Sequence, residues 1–91
     1  MIRSNAAANL TTTATTTVQA VLQAVIGLSP ALARRALREF EVEIDAKRCL
    51  AADQLVTIQV GSTVRLGRTM VNVITAHLRT LAFYRDSDLT R

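Results

Sequence analysis

Near the C-terminal end of the chain, apolar positions repeat with the period of a helix but cover an unusually wide face. Plotted at about 100° per residue, the stretch from Thr63 to Tyr84 predicts one long helix, apolar over roughly half of its circumference. A helix on the surface of a globular protein needs an apolar arc of only about 100°. The apolar residues of this predicted helix are Val64, Met70, Val71, Val73, Ile74, Leu78, Leu81 and Ala82. We therefore expect part of this face to contact a second polypeptide.

A second helical pattern occupies the first third of the chain. Its apolar residues recur at helical spacing and are Val18, Val21, Leu22, Val25 and Leu28. The Thr-x-x-Gln spacing that starts at Thr16 is typical of a helix N-terminus, and Gly27 and Pro30 predict the end of the helix. The segment that follows, residues 31–38, is compatible with a short helical turn or with a loop.

Alternation of apolar and polar residues predicts strands in the middle of the chain. The clearest strand is Glu39–Asp45, where three apolar side chains alternate with four acidic ones, and Gln54–Val60 is a second strand. The threonine-rich stretch Leu10–Thr16 is compatible with a strand or with a disordered, low-complexity segment. This order predicts an α+β fold: a two-layer β-α-β-β-α domain with two helices on one face of a three-stranded antiparallel sheet.

The size and composition of the chain limit its organisation. A length of 91 residues allows one domain, which we place at residues 10–85 between a disordered N-terminal tail (1–9) and a C-terminal tail (86–91). Aromatic residues are so few that aliphatic side chains must fill a thin core, which favours completion of the fold by oligomerisation. A single cysteine excludes an internal disulfide, and the chain lacks a run of about 18 apolar residues that would indicate a membrane span. We expect a soluble, intracellular protein.

Residues with catalytic chemistry are too few to predict an enzyme. His77 and Cys49 are the only histidine and the only cysteine, so they cannot complete a zinc site, and no glycine-rich phosphate loop is present. Glu39, Glu41 and Glu43 alternate along the predicted strand and should face water instead of forming a catalytic cluster. We predict no catalytic residue, no metal and no cofactor, and we expect His77 at an interface.

The basic residues permit a nucleic-acid partner without requiring one. The net charge is +4. On the predicted helix, Arg65, Arg68 and Arg79 share one arc with Asn72, where they can bind phosphate, accept carboxylates of a partner subunit or simply face solvent. The predicted contacts to RNA or to an acidic partner are Arg34, Arg35, Arg65, Arg68 and Arg79.

Two short motifs carry a resemblance to a known family. The segment Leu28-Ser29-Pro30 ends the first predicted helix, and Arg65-Leu66-Gly67-Arg68 opens the last one, with Val71 and Asn72 after it. With the predicted element order, these motifs resemble the Pcc-type small subunit of the KEOPS (EKC) complex, which makes threonylcarbamoyladenosine beside the tRNA anticodon. One departure is Gly67, which stands where the family usually has leucine.

The resemblance implies a non-catalytic dimerisation or scaffold subunit whose helices dock on the catalytic threonylcarbamoyl-transferase subunit. It further implies a homodimer or a heterodimer with another small subunit, indirect contact with tRNA, and no membrane or small-molecule substrate. The expected location is the cytoplasm and, in a eukaryote, also the nucleus. The predicted subunit interface comprises Met70, Val73, Ile74, His77, Leu78 and Leu81.

Two alternatives belong to other functional classes. The segment Leu66–Val71 is similar to the Gly-Arg-Thr that opens a late strand of hot-dog thioesterase-like folds, and this alternative makes Thr69–Thr75 a strand of a fragment of that fold. The other alternative is a small basic RNA-binding module, although neither a Gly-x-x-Gly loop nor an aromatic stacking strand is present.

Overall fold

The computed structural model describes the backbone of residues 13–89 and the side chains of residues 13–82. The described part contains three helices and two antiparallel sheets, so the α+β class is confirmed. The predicted N-terminal tail, the first residues of the predicted strand at Leu10–Thr16 and the last two residues of the chain lie outside it. The elements are β1 (Thr13–Thr17), α1 (Val18–Val21, continued as a π-helical segment over Leu22–Ile26), α2 (Pro30–Glu39), β2 (Val42–Ile44), β3 (Lys47–Arg48), β4 (Leu55–Gln59), β5 (Thr63–Leu66), β6 (Thr69–Asn72) and α3 (Thr75–Leu89).

Short-range signals set the helix boundaries in the first half of the domain. Thr17 caps α1 because its hydroxyl accepts a hydrogen bond from the backbone N–H of Ala20 at 3.2 Å, one residue later than the cap that the sequence predicted. The π-helical segment ends at Gly27, which has φ of +92° and provides the left-handed conformation common at helix C-termini. Ser29 then caps α2, with Pro30 in its first turn, so residues 31–38 are a helix and not a loop.

The strands form two sheets where one three-stranded sheet was predicted. One sheet is the antiparallel pair β1–β4, and the other has the order β3-β2-β5-β6 with every neighbour antiparallel. The carboxylate of Asp45 connects the β2–β3 turn to the start of β5. Its Oδ1 accepts the Thr63 N–H at 3.1 Å and its Oδ2 accepts the hydroxyl of Ser62 at 3.0 Å. Since the Ser62 hydroxyl also accepts the Gln59 N–H, this buried serine holds the end of β4 against the larger sheet.

The prediction of one helix from Thr63 to Tyr84 is wrong for its first half. Residues 63–72 form the hairpin β5–β6, and the helix begins only at Thr75 and continues to Leu89, beyond the predicted end at Tyr84. The hairpin turn is Gly67-Arg68, where Gly67 has φ of +59°, a value that a two-residue hairpin turn requires and a helix forbids. Residues 63–66 also alternate polar and apolar, which suits a strand with one buried face.

The core lies between α1, α3 and the inner faces of both sheets. Its most completely buried side chains come from α1, β2, β4, β5 and the segment before α3, and they are Leu22, Ile58, Val18, Val21, Val42, Val64 and Val73. Among the described residues no single helix has the length and apolarity to span a membrane. The helices 18–26 and 30–39 meet that criterion only as a pair bent by 108°.

Two substitutions on β4 test this core. Ile58 is fully buried and Leu55 is 70% exposed on the same strand. Ile58→Ala should lower the free energy of unfolding by about 2 to 5 kcal/mol because it removes buried methylenes and leaves a cavity. Leu55→Ala should change it by less than about 0.5 kcal/mol. Urea unfolding followed by circular dichroism measures both, and equal losses would contradict the assigned faces of β4.

Candidate functional site

A row of three charged side chains and one methionine crosses the open face of the larger sheet. The strand register places Arg48 opposite Glu43, Glu43 opposite Arg65, and Arg65 opposite Met70. We call these four residues the open-face row. Because side chains alternate along each strand, Val42, Ile44 and Val64 point from the other face into the core.

Arg65 is the centre of this row and makes several bonds within the chain. Its Nη2 lies 2.5 Å from Oε2 of Glu43 and 3.6 Å from Oε1 of Glu41, and its Nη1 donates to the carbonyl of Gly67 at 2.7 Å. The hydrogen bond to Glu43 raises the pKa of the Arg65 guanidinium, so the arginine remains charged. The side chains of Arg65 and Glu43 are only 26% and 28% exposed.

The ion pairs of Arg65 give one glutamate of the predicted acidic strand and one arginine of the predicted helix roles that differ from those expected. Glu43 was expected to face water, but it is half-buried and paired with Arg65 across the β2–β5 ladder. Arg65 was expected to be available for RNA or an acidic partner, but the chain's own carboxylates already bind it. Opposite charges on neighbouring strands therefore stabilise the pairing of β2 with β5 and lower the net charge of this face.

The other predicted basic contacts are distributed over three places in the fold: α2, the hairpin turn and α3. Arg35 pairs with Glu39 one turn later on α2 at 2.8 Å, and the hydrogen bond to Glu39 raises the pKa of Arg35. Arg34 is exposed on α2, Arg68 in the hairpin turn and Arg79 on α3. The predicted stripe of Arg65, Arg68 and Arg79 on one helix does not exist, because the hairpin places two of these residues outside α3.

The predicted interface residues are divided between the buried core and the surface. Val73, Leu78 and Leu81 are 1%, 4% and 2% exposed and belong to the core, so they do not form an outer helical face. Met70 on β6 and Ile74 just before α3 are 57% and 52% exposed.

His77 has a local structural contact. Its Nδ1 accepts the Ile74 N–H at 3.0 Å, which satisfies a backbone donor at the start of α3.

Among residues 13–89, no strand pairs with the outer edge of β6, which is the least protected edge of the larger sheet. The hydrogen bond from Val73 N–H to the Ser62 carbonyl shows that odd-numbered residues of this strand bond to β5. The backbone N–H and C=O groups of Met70 and Asn72 consequently point away from the sheet. The opposite edge, β3, has two residues that are both basic, whereas β6 has four residues without charge or proline. Because β3 is very short and charged, pairing with another strand is disfavoured at β3 and more favourable at β6.

Two apolar pockets that the sequence pattern does not indicate lie beside Phe40 and Leu66. The pocket against α2 has a volume of about 260 Å³ and is lined by Leu28, Leu32, Arg35, Ala36, Glu39, Phe40 and Leu66. The pocket against the hairpin turn has a volume of about 520 Å³ and is lined by Phe40, Leu66, Gly67, Arg68 and Thr69. Leu32 and Phe40 are 49% and 55% exposed. Phe40 belongs to the same alternating pattern as Val42 and Ile44, which are buried, but it lies before β2 begins and is exposed.

In the described part of the chain, the nucleophilic and metal-ligating side chains do not form a catalytic or metal site. Cys49 is 2% exposed, and its burial raises the pKa of the thiol, so the sulfur stays protonated and weakly nucleophilic. Among the residues searched, no three His, Cys, Asp or Glu side chains lie together as a metal site.

Comparison of the chain with protein-family models, curated proteins and solved structures found no match.

Two arginine substitutions in the hairpin test the open-face row. Arg65→Ala should lower Tm because it leaves the half-buried Glu43 without its partner. Arg68→Ala, in the exposed turn, should leave Tm unchanged. The difference should shrink in about 1 M salt, where charges are screened within about 3 Å. Calorimetry at both salt concentrations measures these shifts, and an equal effect of the two variants would contradict the role of Arg65.

Proposed function

We propose that this chain is a non-catalytic assembly module that pairs with a second copy of itself through the free edge of β6. The observation that carries the proposal is the pair of outward-facing backbone positions, Met70 and Asn72, on an uncharged edge strand. An edge with unpaired N–H and C=O groups is a template for pairing with another strand.

A two-fold axis at Val71 gives a self-consistent register for this pairing. The N–H of Met70 would donate to the C=O of Asn72 in the second copy, and the C=O of Met70 would accept a hydrogen bond from the N–H of that same residue. By symmetry, Asn72 of the first copy and Met70 of the second copy would form the same two hydrogen bonds. These four hydrogen bonds would join two four-stranded sheets into one sheet of eight strands. An interface of this kind uses the same surface on both copies, which is the commonest arrangement of homodimers.

The charges around β6 favour the proposed pairing. Arg65, on the neighbouring strand, is paired with Glu43 and Glu41, so an arginine near the interface has its charge compensated. Antiparallel pairing also places Arg68 of one copy at the opposite end of β6 from Arg68 of the other. The net charge of +4 therefore does not concentrate at the contact.

Membership of the KEOPS complex and a role in tRNA threonylcarbamoyladenosine modification stay predictions. Their supporting motif, Arg65-Leu66-Gly67-Arg68, lies in the β5–β6 hairpin and not at the start of a helix. Support for the assembly proposal comes from the β6 edge and does not depend on that motif.

Removal of one outward N–H tests the assembly proposal. The wild-type chain should be a dimer by size-exclusion chromatography with light scattering, and Met70→Pro should be a monomer because proline cannot donate the pairing hydrogen bond. Thr15→Pro is the matched control: Thr15 is an exposed position on β1, and its N–H also points away from its partner strand β4.

Met70→Lys provides a second variant in case the proline disturbs the hairpin. It keeps the N–H but places a charge on the edge, and it too should favour the monomer. A wild-type monomer, or a dimer that resists both Met70 variants, would overturn the proposal.

One observation favours a second candidate, a fragment of a hot-dog thioesterase-like fold. That alternative required a strand after Gly67, and Thr69–Asn72 is a strand. The strand ends at Asn72, and Thr75, which that alternative placed in the strand, is the first residue of α3.

Hydrolysis of acyl-CoA thioesters, followed by release of free thiol, tests this second candidate. The assay uses the Cys49→Ser variant, which has no thiol of its own, so that all the thiol detected comes from the substrate. On the assembly proposal we expect no hydrolysis above the uncatalysed rate. Turnover that increases in proportion to enzyme concentration would support the hot-dog alternative.

A further inference from the structure

We propose that two copies pair in one register only, the one centred on Val71, and that this register joins Met70 and Ile74 of both copies into a single apolar stripe on the open face. The inference rests on the proposed pairing at β6 and names the side chains that complete that contact. The exposed surface around Met70 is thus covered by a second copy of this chain.

The outer edge of β6 ends at Asn72, because the backbone of Ile74 is already bonded. The N–H of Ile74 donates to Nδ1 of His77 at 3.0 Å. Its carbonyl accepts the N–H groups of His77 at 3.0 Å and Leu78 at 3.3 Å, which occupies both lone pairs of the oxygen. The backbone groups available to a second strand on this edge are therefore those of Met70 and Asn72.

This limit selects among the symmetric registers. A two-fold axis at Val71 pairs Met70 with Asn72 of the second copy and uses all the available groups. An axis at Asn72 would place Met70 opposite Ile74 of the second copy, whose backbone groups are occupied, so only the two Asn72 residues would bond to each other. An axis at Met70 would place Asn72 opposite Arg68, which lies in the turn and not in a strand, with the same loss. The register centred on Val71 therefore forms the most hydrogen bonds.

The same register brings exposed apolar side chains together on the open face. Within one copy, Met70 lies opposite Arg65 on that face. Alternation then places Asn72 and Ile74 on the same face. With Met70 opposite Asn72 of the second copy, the diagonal neighbours of Met70 are Met70 and Ile74 of that copy. Diagonal neighbours are about 7 to 8 Å apart, within reach of long side chains, so the four apolar side chains form one line along the contact.

The composition of this surface suits contact between two copies. Met70 and Ile74 are 57% and 52% exposed, so more than half of each residue is uncovered within one copy. Stable protein interfaces bury roughly 1,200 to 2,000 Å² in total, and two short strands that meet edge to edge supply little of that as apolar area. The stripe adds apolar area, and the unbranched side chain of methionine adapts to an irregular contact. The charge on the neighbouring strand, Arg65, is compensated by Glu43 and Glu41.

A double-mutant cycle tests the stripe. Met70→Ala and Ile74→Ala should each raise the dimer Kd by about tenfold or more, since each removes apolar groups from two symmetric contacts. The double variant should raise Kd by less than the product of the two single factors, because the two side chains contact each other across the interface. Within one copy these residues are separated by about 13 Å of extended chain, so this coupling does not arise inside the monomer.

Leu55→Ala is the control for the cycle. It truncates a 70% exposed leucine on the smaller sheet and should leave the dimer Kd unchanged. Sedimentation equilibrium measures Kd, and circular dichroism confirms that each variant is folded.

The outcomes separate this inference from the proposed function. A dimer that Met70→Pro disrupts, but whose Kd is unchanged in both alanine variants, would overturn the stripe and leave the β6 pairing intact. A double variant whose Kd rises by the full product of the single factors would also overturn it, since the two residues would then act independently. A wild-type chain that is monomeric would overturn the β6 pairing itself.

Single cysteines provide an independent measurement of the register. In a Cys49→Ser background, Val71→Cys should give a covalent dimer on mild oxidation. The two copies of this position lie directly opposite each other, with Cα atoms about 4.5 Å apart, within the range of a disulfide. Met70→Cys and Asn72→Cys are the matched controls, since each would face its own copy directly only in a register centred on that residue.

In the register centred on Val71, the two control positions lie on diagonals about 7 to 8 Å apart and should cross-link weakly. Stronger cross-linking at position 70 or 72 than at position 71, in a preparation that is dimeric, would overturn the proposed register.

Discussion

The two-residue turn at Gly67-Arg68 is the constraint on which the C-terminal half of the structure depends. Its first residue has φ of +59°, a conformation that glycine adopts without the steric cost that a Cβ imposes. The turn reverses the chain, so that β6 pairs with β5 and α3 starts only after the hairpin is complete. Without this reversal there would be no outer strand edge, and the apolar residues between 64 and 74 could not divide between the core and the surface.

The same turn explains why the charges in this region compensate one another. Once β5 lies beside β2, the register places Arg65 directly opposite Glu43, and the guanidinium also bonds to the carbonyl of Gly67 in the turn. An arginine that looks available for a partner is thereby bound within its own sheet. What remains exposed at the edge is uncharged: the backbone of Met70 and Asn72 and the side chain of Met70.

The C-terminal region exposes apolar side chains, but their arrangement differs from the predicted one. A long helix was expected to expose one broad stripe. In the structure, Val73, Leu78 and Leu81 are buried, and the exposed large apolar side chains of this region lie at two separate places: Met70 on β6 and Ile74 before α3. The surface available for assembly is therefore a strand edge at β6 and not a helical face.

The amino-acid sequence alone determined the α+β class, the helix near residue 18 with its stop at Gly27, and a strand around Val42, because these follow from contacts between near neighbours in the chain. The predicted strand Glu39–Asp45 was too long at both ends, since α2 continues to Glu39 and β2 covers only Val42–Ile44. Only the tertiary structure decided that residues 63–72 are a hairpin. Apolar residues spaced three or four apart satisfy a helix as well as two short strands, and the choice depends on whether β2 is available to pair with β5. The role of Arg65 was decided in the same way, since its carboxylate partners are more than twenty positions away in sequence and become neighbours only when the sheet forms.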